Sequence, residues 1–379
     1  MRVLHVIVGL GSGGAEKTMT RICRELSCEA EFGVLALTGS SFYYKNLVRS
    51  GTRVHIADLG RGSIVERLKK VVDTWRWLRS EEYDVVHAWM YHAELITGLL
   101  KILNRKQKII WSERVGDLKR ARVKKRTRLL ARGCAVLSHI VPDKILYCSE
   151  DTREYHERIG YKLISGRVIM NGWDIPEWKV LELNVGRRIE RLENHKKNRN
   201  ELRLGMMARW APQKDHETVL RMARMLQSRG KKVELWLAGK GMDKENEELL
   251  RLIEGVGIST CKLFGELEDV NSFLDSLDVL VHSTYGEGLA NAVAEGLSRG
   301  VPTICTEVGG MTELTGDDYP YLTKIGDEVD MANKIEELLG KSCEEVWGDL
   351  QGYHSRMGNR FNVHRMTREI NRLYVDLSR

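Results

Sequence analysis

Residues 278–306 read DVLVHSTYGEGLANAVAEGLSRGVPTICT, and this stretch decides the fold. An apolar run over 278–283 leads into a glycine-containing loop at 284–288, a helical pattern covers 289–299, and a second apolar run follows at 302–306. A strand, a crossover helix and another strand form the repeating unit of a parallel sheet. The stretch therefore predicts an α/β protein.

The same alternation extends along the whole chain. Helical patterns separate short apolar runs in both halves, at residues 2–8, 31–36, 53–57, 84–88, 108–111 and 144–149, then at 202–208, 233–238, 262–264, 278–283 and 302–306. Two such blocks in 379 residues predict two Rossmann-like, doubly wound domains with a cleft between them. We expect an N-terminal domain over 1–180, a C-terminal domain over 200–358 and a charged linker at 186–201.

Composition restricts the class of protein. Apolar residues make up 42% of the chain and charged residues 30%, which is ordinary for a globular protein. No apolar run reaches the roughly 18–20 residues that a membrane span needs. The seven cysteines form no C-x-x-C pair, and the first residues lack a signal-peptide pattern. These features predict a reduced, cytoplasmic protein.

Positive charge is concentrated in the first half. Residues 1–180 hold 32 Lys and Arg against 20 Asp and Glu, whereas the remainder holds 28 against 33. An anionic partner of the first half is therefore expected, and nucleic acid, an acidic membrane surface or a phosphorylated carrier would each fit.

The most basic stretch is 117–133, with eight Lys and Arg and one Asp. Residues 123, 127, 130 and 134 give it a narrow stripe at helical spacing. The pattern favours a basic amphipathic helix on an anionic membrane, while a solvated basic face is the alternative. Nucleic acid fits less well because no aromatic side chains are interleaved with the charges.

The second half has an anion-binding pattern where its strands end. Ligands of parallel sheets bind at the carboxyl ends of the strands. Five successive strands are followed there by glycines or cations, namely Arg209 and Lys214, then 239–241, Gly265, 284–288, and Gly309 with Gly310. Arg209 and Lys214 suit phosphate oxygens, and a helix that starts near Leu289 would direct backbone N–H groups at the same anion.

Two carboxylates stand beside this pattern. Glu287 and Glu295 would lie roughly 12 Å apart along a helix. Such a pair could hold the two ends of a nucleotide sugar through its hydroxyl groups. The alternatives are a solvated helix glutamate and simple stabilisation of a helix N-terminus.

The first half opens with GLGSGG at 9–14, which formally matches the dinucleotide-binding pattern G-x-G-x-x-G. An NAD-dependent nucleotide-sugar epimerase is therefore an alternative. Such an enzyme needs an acidic residue at the end of its second strand, and residues 34–38 read VLALT. This departure favours a role for Gly13 and Gly14 in the cleft instead.

Several motifs, in order along nearly the whole chain, resemble those of retaining glycosyltransferases of family 4, among the group 1 glycosyltransferases with the GT-B fold. The similar stretches are GGAE at 13–16, NGWD at 171–174, ARWAPQKD at 208–215, EGLANAVAE at 287–295, GVPT at 300–303 and VGGMTE at 308–313. The stretch at 208–215 lacks both glycines of the family's G-R-L-x-x-Q-K-G. The resemblance implies a nucleotide-diphosphate sugar as donor, most simply a UDP-sugar, and a lipid-linked or saccharide acceptor.

The resemblance also implies roles for individual residues. Arg209 and Lys214 would neutralise the diphosphate, Glu287 would hold the donor sugar and Glu295 the ribose. The remaining donor-binding positions would be Gly265, Gly288, Leu289, Gly309 and Gly310. Transfer would retain the anomeric configuration by front-face attack, without a metal or another cofactor, and the chain contains no D-x-D motif. The last helix, about 360–379, would pack on the first domain.

On the acceptor side the resemblance is less complete. The family often has a histidine after the fifth strand, where this chain reads WSER at 111–114. Glu113 could replace it, Arg114 could bind an acceptor phosphate, and His92 follows the fourth strand; a surface ion pair is the alternative for the first two. A non-catalytic basic binding protein with a degenerate transferase fold is the second alternative overall. Localisation on the inner face of a membrane would accompany a lipid-linked acceptor.

Overall fold

A computed structural model describes residues 1–39, 42–60, 62–197 and 200–379. They form two compact units. Unit 1 contains Met1–Gly116, Val123–Gly172 and Val363–Arg379, and unit 2 contains Asp117–Arg122 and Trp173–Asn362. The last helix of the chain thus belongs to unit 1, and a short segment of the first half belongs to unit 2.

Unit 1 is built on a seven-stranded parallel sheet with the strand order β3-β2-β1-β4-β5-β6-β7. The strands are β1 Arg2–Ile7, β2 Glu31–Ala36, β3 Arg53–Ile56, β4 Val85–Trp89, β5 Lys108–Glu113, β6 Lys144–Tyr147 and β7 Gly166–Val168. The helices of this unit are α1 Gly14–Glu25, α2 Tyr44–Arg49, α3 Ile64–Ser80, α4 Met90–Leu103, α5 Lys125–Leu137, α6 Glu150–Arg158 and, at the end of the chain, α15 Val363–Ser378. Sequence alternation predicts six of these strands, and β7 is too short to show a pattern of its own.

The core of unit 1 includes the C-terminal helix. Met366, Ile370 and Tyr374 of α15 are fully buried in the same apolar cluster as the strands β1, β2 and β4. The Tyr374 hydroxyl also lies 2.7 Å from Nδ1 of the buried His87 on β4. Burial of this helix face removes apolar surface from water and fixes the chain's end to the first sheet.

Unit 2 is built on a six-stranded parallel sheet with the order β10-β9-β8-β11-β12-β13. Its strands are β8 Leu202–Met207, β9 Val233–Ala238, β10 Cys261–Leu263, β11 Val279–His282, β12 Thr303–Thr306 and β13 Leu322–Thr323. Its helices are α7 Trp178–Lys196, α8 His216–Ser228, α9 Glu247–Val256, α10 Val270–Ser276, α11 Asn291–Ser298, α12 Met311–Thr315, α13 Glu328–Gly340 and α14 Cys343–Arg360. The fold class predicted from the alternation, two parallel-sheet α/β domains, is confirmed.

The stretch at 186–201 is not the charged linker that the sequence predicts. Most of it belongs to the helix α7, and only residues 198 and 199 lie outside the described part of the chain. The helix buries Val185, Ile189 and Leu192, and with them the whole side chain of Arg188. That guanidinium donates to the carbonyl oxygens of Leu277, Gly300 and Leu274, at 2.8, 2.7 and 3.1 Å. The sequence alone does not distinguish an arginine that is buried against backbone carbonyls from one that is exposed to solvent.

Each sheet has one point where the strand order reverses. In unit 1 this point lies between β1 and β4, and in unit 2 between β8 and β11. The loops that leave such neighbouring strands run to opposite sides and leave a crevice at the carboxyl edge of the sheet. In unit 2 these are the loops that carry Lys214 and Glu287.

Candidate active site

Lys214 and Glu287 meet at the reversal point of unit 2. Lys214 ends a short 3-10 turn, Pro212–Lys214, after β8, and Glu287 follows β11 in the loop before α11. The Lys214 ammonium donates directly to Oε1 of Glu287, and both side chains are largely buried. Residues 73 positions apart in the chain thus form one ion pair at the edge where a ligand of this fold binds.

Glu287 is held in its ionised form. Oε1 of Glu287 also lies 3.4 Å from Nε2 of the buried His282 and accepts from the Thr284 hydroxyl at 3.4 Å. Burial by itself would raise the pKa of Glu287, but the charge of Lys214 and the hydrogen bond from His282 outweigh it and lower the pKa to about 2. Burial lowers the pKa of His282, so its imidazole is neutral near pH 7.

Backbone hydrogen bonds tie all five strand-end loops into one rim. The amide of Trp210 donates to the Lys240 carbonyl at 2.8 Å, and the amide of Gly239 to the Gly265 carbonyl at 2.7 Å. The remaining links join the amide of Tyr285 to the Gln213 carbonyl at 2.8 Å and the amide of Gly310 to the Gly288 carbonyl at 3.0 Å. The predicted anion-binding loops are therefore physically continuous.

Close backbone approach explains one glycine of this rim. Gly239 has φ +133°, and a Cβ there would stand 2.4 Å from the carbonyl oxygen of Ala208. A side chain at this position would push the β9 loop away from the loop that carries Arg209.

The other residues predicted at the donor site lie on or near this rim. Arg209 is exposed directly after Ala208, on the loop that continues to Lys214. Leu289 is buried beneath the loop of Glu287. Helix α11 begins at Asn291 rather than Leu289, and the partly exposed Glu295 lies in its second turn. The structure thus brings Lys214 and Glu287 into contact and places Arg209 and Glu295 on the same two segments.

In unit 1, Gly13 caps the N-terminus of α1 and Gly14 is its first residue. The Glu16 carboxylate lies over this end, 2.3 Å from where a Cβ of Gly13 would stand. The side chain of this acid therefore occupies the place beside the first turn that an anion would take. His92 is exposed in the first turn of α4.

Glu113 lies inside the protein rather than on a cleft surface. It is fully buried, accepts from the Tyr161 hydroxyl at 2.9 Å and lies 3.4 Å from Nε2 of His156. The same hydroxyl lies 3.1 Å from Oε2 of the buried Glu94. Two carboxylates around one hydroxyl form an internal network, so Glu113 is held by these contacts and does not face solvent.

Arg114 is also engaged within unit 1. Its guanidinium donates to Oδ1 of Asn171 at 2.6 Å and to the Ser112 hydroxyl at 3.3 Å, and it lies 4.8 Å from the centre of the Trp89 ring. These contacts link the end of β5 to the NGWD stretch at 171–174. The simple surface ion pair that we considered for Glu113 and Arg114 is wrong, because each has other partners.

Sequence reasoning misses three residues of the site. His282 and Thr284 contact Glu287, and Asp215 accepts from the Ser283 hydroxyl at 2.8 Å beside Lys214. Asp215 has φ +44°, a left-handed backbone that non-glycine residues rarely adopt. Proximity to the two motifs is the only signal in the sequence that points to them.

The structure is similar to that of HepE from Anabaena, solved in complex with UDP and glucose. The TM-score is 0.81 at 18% identity, and the match covers 99% of this chain and 100% of that one. The chain thus has the GT-B fold, in which two doubly wound units follow one another.

The family follows from two models. The model described as Glycosyltransferase Family 4 matches residues 12–176, and the model described as Glycosyl transferases group 1 matches residues 201–341. Together the two models cover most of the chain, which therefore belongs to the family 4 and group 1 glycosyltransferases. It is an enzyme. The epimerase and the non-catalytic binding protein are thereby set aside.

Curated relatives are similar along different lengths. EpsF of Bacillus subtilis, a putative glycosyltransferase, is 23% identical over 86% of this chain and 83% of its own. The capsular polysaccharide biosynthesis glycosyltransferase CapH of Staphylococcus aureus is 20% identical over 99% of both chains. The putative glycosyltransferase EpsD of Bacillus subtilis is 30% identical, but the match spans only 34% of either chain.

Within the described residues, no helix is both long and apolar enough to cross a membrane. In the same part of the chain, no group of three or more His, Cys, Asp or Glu side chains is arranged to hold a metal ion.

Proposed function

We propose that the rim of unit 2 binds a nucleotide-diphosphate sugar, most simply a UDP-sugar, and that the enzyme transfers the sugar with retention of configuration. The observation that carries the proposal is the Lys214–Glu287 ion pair at the reversal point of the sheet. A solved structural neighbour binds UDP and glucose, which supports the choice of donor.

The charges suit the departure of a nucleoside diphosphate. When the bond between the anomeric carbon and the diphosphate oxygen breaks, negative charge develops on that oxygen. Lys214 and Arg209 would stabilise this charge, the first as a point charge and the second as a two-pronged donor. The acceptor hydroxyl would attack from the same face of the sugar and lose its proton to the departing diphosphate.

The carboxylates suit the two sugar rings. Glu287 is ionised and oriented by Lys214, His282 and Thr284, so it can accept hydrogen bonds from hydroxyls of the donor sugar. Glu295, in the second turn of α11, would accept from the ribose. Gly265 and its neighbours would line the base, and Gly309 and Gly310, which lack side chains, would let the phosphates approach the backbone.

Calorimetric titration with UDP, UDP-glucose, UDP-N-acetylglucosamine and GDP-mannose tests the donor. We expect UDP and one UDP-sugar to bind the wild type, and Lys214→Ala to weaken UDP binding about tenfold or more, because a charge-assisted contact is lost. Lys232→Ala is the matched control. Lys232 directly precedes β9, so it lies at the amino ends of the strands and the rim lies at their carboxyl ends. Equal UDP affinity in all three proteins would overturn the proposal.

We propose further that the acceptor is lipid-linked or a saccharide, and that unit 1 contacts the inner, anionic face of a membrane. The supporting observation is a set of exposed apolar side chains on the touching helices α4 and α5. Their exposed fractions are 58% for Leu99, 75% for Ile102 and 70% for both Leu129 and Val136. Exposed apolar side chains beside many cations suit the headgroup region of a bilayer.

The surface differs from the one that the sequence predicts. Helix α5 begins at Lys125, so residues 117–133 are not one helix, and Cys134 of the predicted apolar stripe is buried. Leu129 and Val136 face solvent instead, and Lys124, Lys125 and Arg126 are exposed at the start of the helix.

Co-sedimentation with vesicles tests this contact. Vesicles with a phosphatidylserine fraction should bind the wild type at low salt, and Lys124→Gln/Lys125→Gln/Arg126→Gln should bind as weakly as the wild type does at high salt. Leu129→Ser/Val136→Ser should weaken binding at every salt concentration. Salt-independent sedimentation of the wild type would contradict an electrostatic contact.

A further inference from the structure

A short segment from the first half of the chain is part of unit 2. Residues Asp117–Arg122, here called the strap, belong to that unit, while the chain on either side of them belongs to unit 1. The strap is a tight turn in which the Asp117 carboxylate accepts from the amides of Lys119 and Arg120, at 2.8 and 3.0 Å. Leu118 and Ala121 are each 1% exposed, so the strap is packed and not a free loop.

The strap lies directly on the loop that carries Glu287. A Cβ on Gly286 would stand 2.7 Å from Cβ and 3.0 Å from Cα of Ala121, so the two backbones meet where only glycine fits. The guanidinium of Arg122 lies 3.4 Å from the centre of the Tyr285 ring. The strap therefore contacts both residues that immediately precede Glu287.

Tyr285 extends the contact to the other half of the ion pair. Its amide donates to the carbonyl oxygen of Gln213, which directly precedes Lys214, at 2.8 Å. Asp215, which directly follows Lys214, accepts from the Ser283 hydroxyl at 2.8 Å. A continuous set of contacts thus runs from Arg122 through Tyr285 to the segments that present Lys214 and Glu287.

Arg122 keeps this place at a cost in backbone energy. Its φ is +52°, in the left-handed region that disfavours residues with a Cβ. A strained residue persists where its surroundings determine its conformation, and such residues cluster at functional sites. Here the surroundings include an aromatic ring beneath its cation.

We infer that Arg122 is a positioning residue for glycosyl transfer: by holding Tyr285, two residues before Glu287, it sets the angle at which Glu287 meets the donor sugar. The inference rests on the proposed function, because it assigns a role at the same site. It predicts that loss of Arg122 affects the sugar and leaves the diphosphate contact unchanged, because the backbone hydrogen bond from Tyr285 to Gln213, beside Lys214, does not depend on the Arg122 side chain.

The experiment compares Arg122→Ala and Arg122→Lys with Arg120→Ala. Arg120 and Arg122 are both exposed residues of the strap, but the contact with the Tyr285 ring is made by Arg122. UDP and UDP-glucose affinities are measured by calorimetry, and hydrolysis of UDP-glucose by release of UDP. Arg122→Ala should keep the UDP affinity but lower the UDP-glucose affinity and the hydrolysis rate about two- to fivefold. Arg122→Lys should recover part of this loss because the cation stays over the ring.

A second background separates positioning from folding. Tyr285→Leu lacks the ring. When Arg122→Ala is added to this variant, the UDP-glucose affinity and the hydrolysis rate should not change further. The inference is overturned if Arg122→Ala matches Arg120→Ala, or if it lowers the UDP affinity and the melting temperature together. Failure of Lys214→Ala to weaken UDP binding would instead remove the proposed function itself.

Discussion

At the scale of single residues, charge in this protein is stabilised by specific partners. Lys214 and Glu287 neutralise each other where the proposed diphosphate and sugar meet. Arg188 instead donates hydrogen bonds to backbone carbonyl oxygens inside unit 2. The cost of removing such charges from water is met only while every partner is present. Single substitutions at these positions should therefore have large and distinguishable effects.

Glu287 should make stability depend on acid. Its pKa in the folded protein is about 2, below the ordinary 4.5, so its contribution to stability is complete above about pH 4.5 and is lost as the pH falls through about 2. Glu287→Gln should unfold at lower urea concentration at neutral pH and lose less stability on acidification. Lys214→Met removes the charge that contributes most to the lowered pKa of Glu287. The stability of this variant should therefore also fall less as the pH is lowered. Parallel pH profiles for the wild type and Glu287→Gln would contradict this account.

Glu94 should have the opposite effect on the pH dependence of stability. Burial, and then the charge of Glu113, raise the pKa of Glu94 well above its ordinary value of 4.5. The folded protein therefore keeps this proton to higher pH than the unfolded chain does, so the contribution of Glu94 to stability is complete below about pH 4.5 and declines as the pH rises. In urea unfolding, the stability of Glu94→Gln relative to the wild type should therefore increase as the pH rises above about 4.5. A difference between the two proteins that does not change with pH would show that the pKa of Glu94 is not raised in the fold.

At the scale of elements, the rim depends on how closely its loops approach. Gly239→Ala should weaken UDP binding and lower stability, since a Cβ would stand 2.4 Å from the Ala208 carbonyl oxygen and the loop must move. Gly230→Ala is the control, because Gly230 also has a positive φ, +81°, but nothing lies within 4 Å of its Cβ position. It should cost about 1 kcal/mol of stability and leave UDP affinity unchanged. Similar UDP affinities for the two variants would show that the approach of the loops is unimportant.

Local sequence patterns predict a helix or strand well where its buried face is apolar. They fail where the buried face contains a charged side chain. The strand runs and the loop residues after them are visible because apolar alternation and glycine record local geometry. Helix α7 looks like a linker because its buried face includes Arg188, and the start of α5 is misplaced because basic residues continue from the strap into the helix. Neither difference can be detected without knowing which surface each segment meets.

At the scale of the whole molecule, the two halves of the chain divide the chemistry. The excess of positive charge lies in residues 1–180, and the motifs that we propose to bind the donor lie in unit 2. The strap and helix α15 each belong to the unit that their position in the sequence does not suggest. Glu113 illustrates the same limit: the end of a strand suggests a cleft residue, but Tyr161 and His156, distant in sequence, enclose it. Long-range packing of this kind leaves no local signal.

If the strand-end loops of unit 2 hold a pyrophosphate, a crystal structure of the protein with UDP will place it there. It should show the diphosphate within hydrogen-bond distance of the Lys214 ammonium and the Arg209 guanidinium, beside the loop of Gly286 to Gly288. A diphosphate at the glycines of residues 9–14 in unit 1, with Lys214 still paired only to Glu287, would contradict the account.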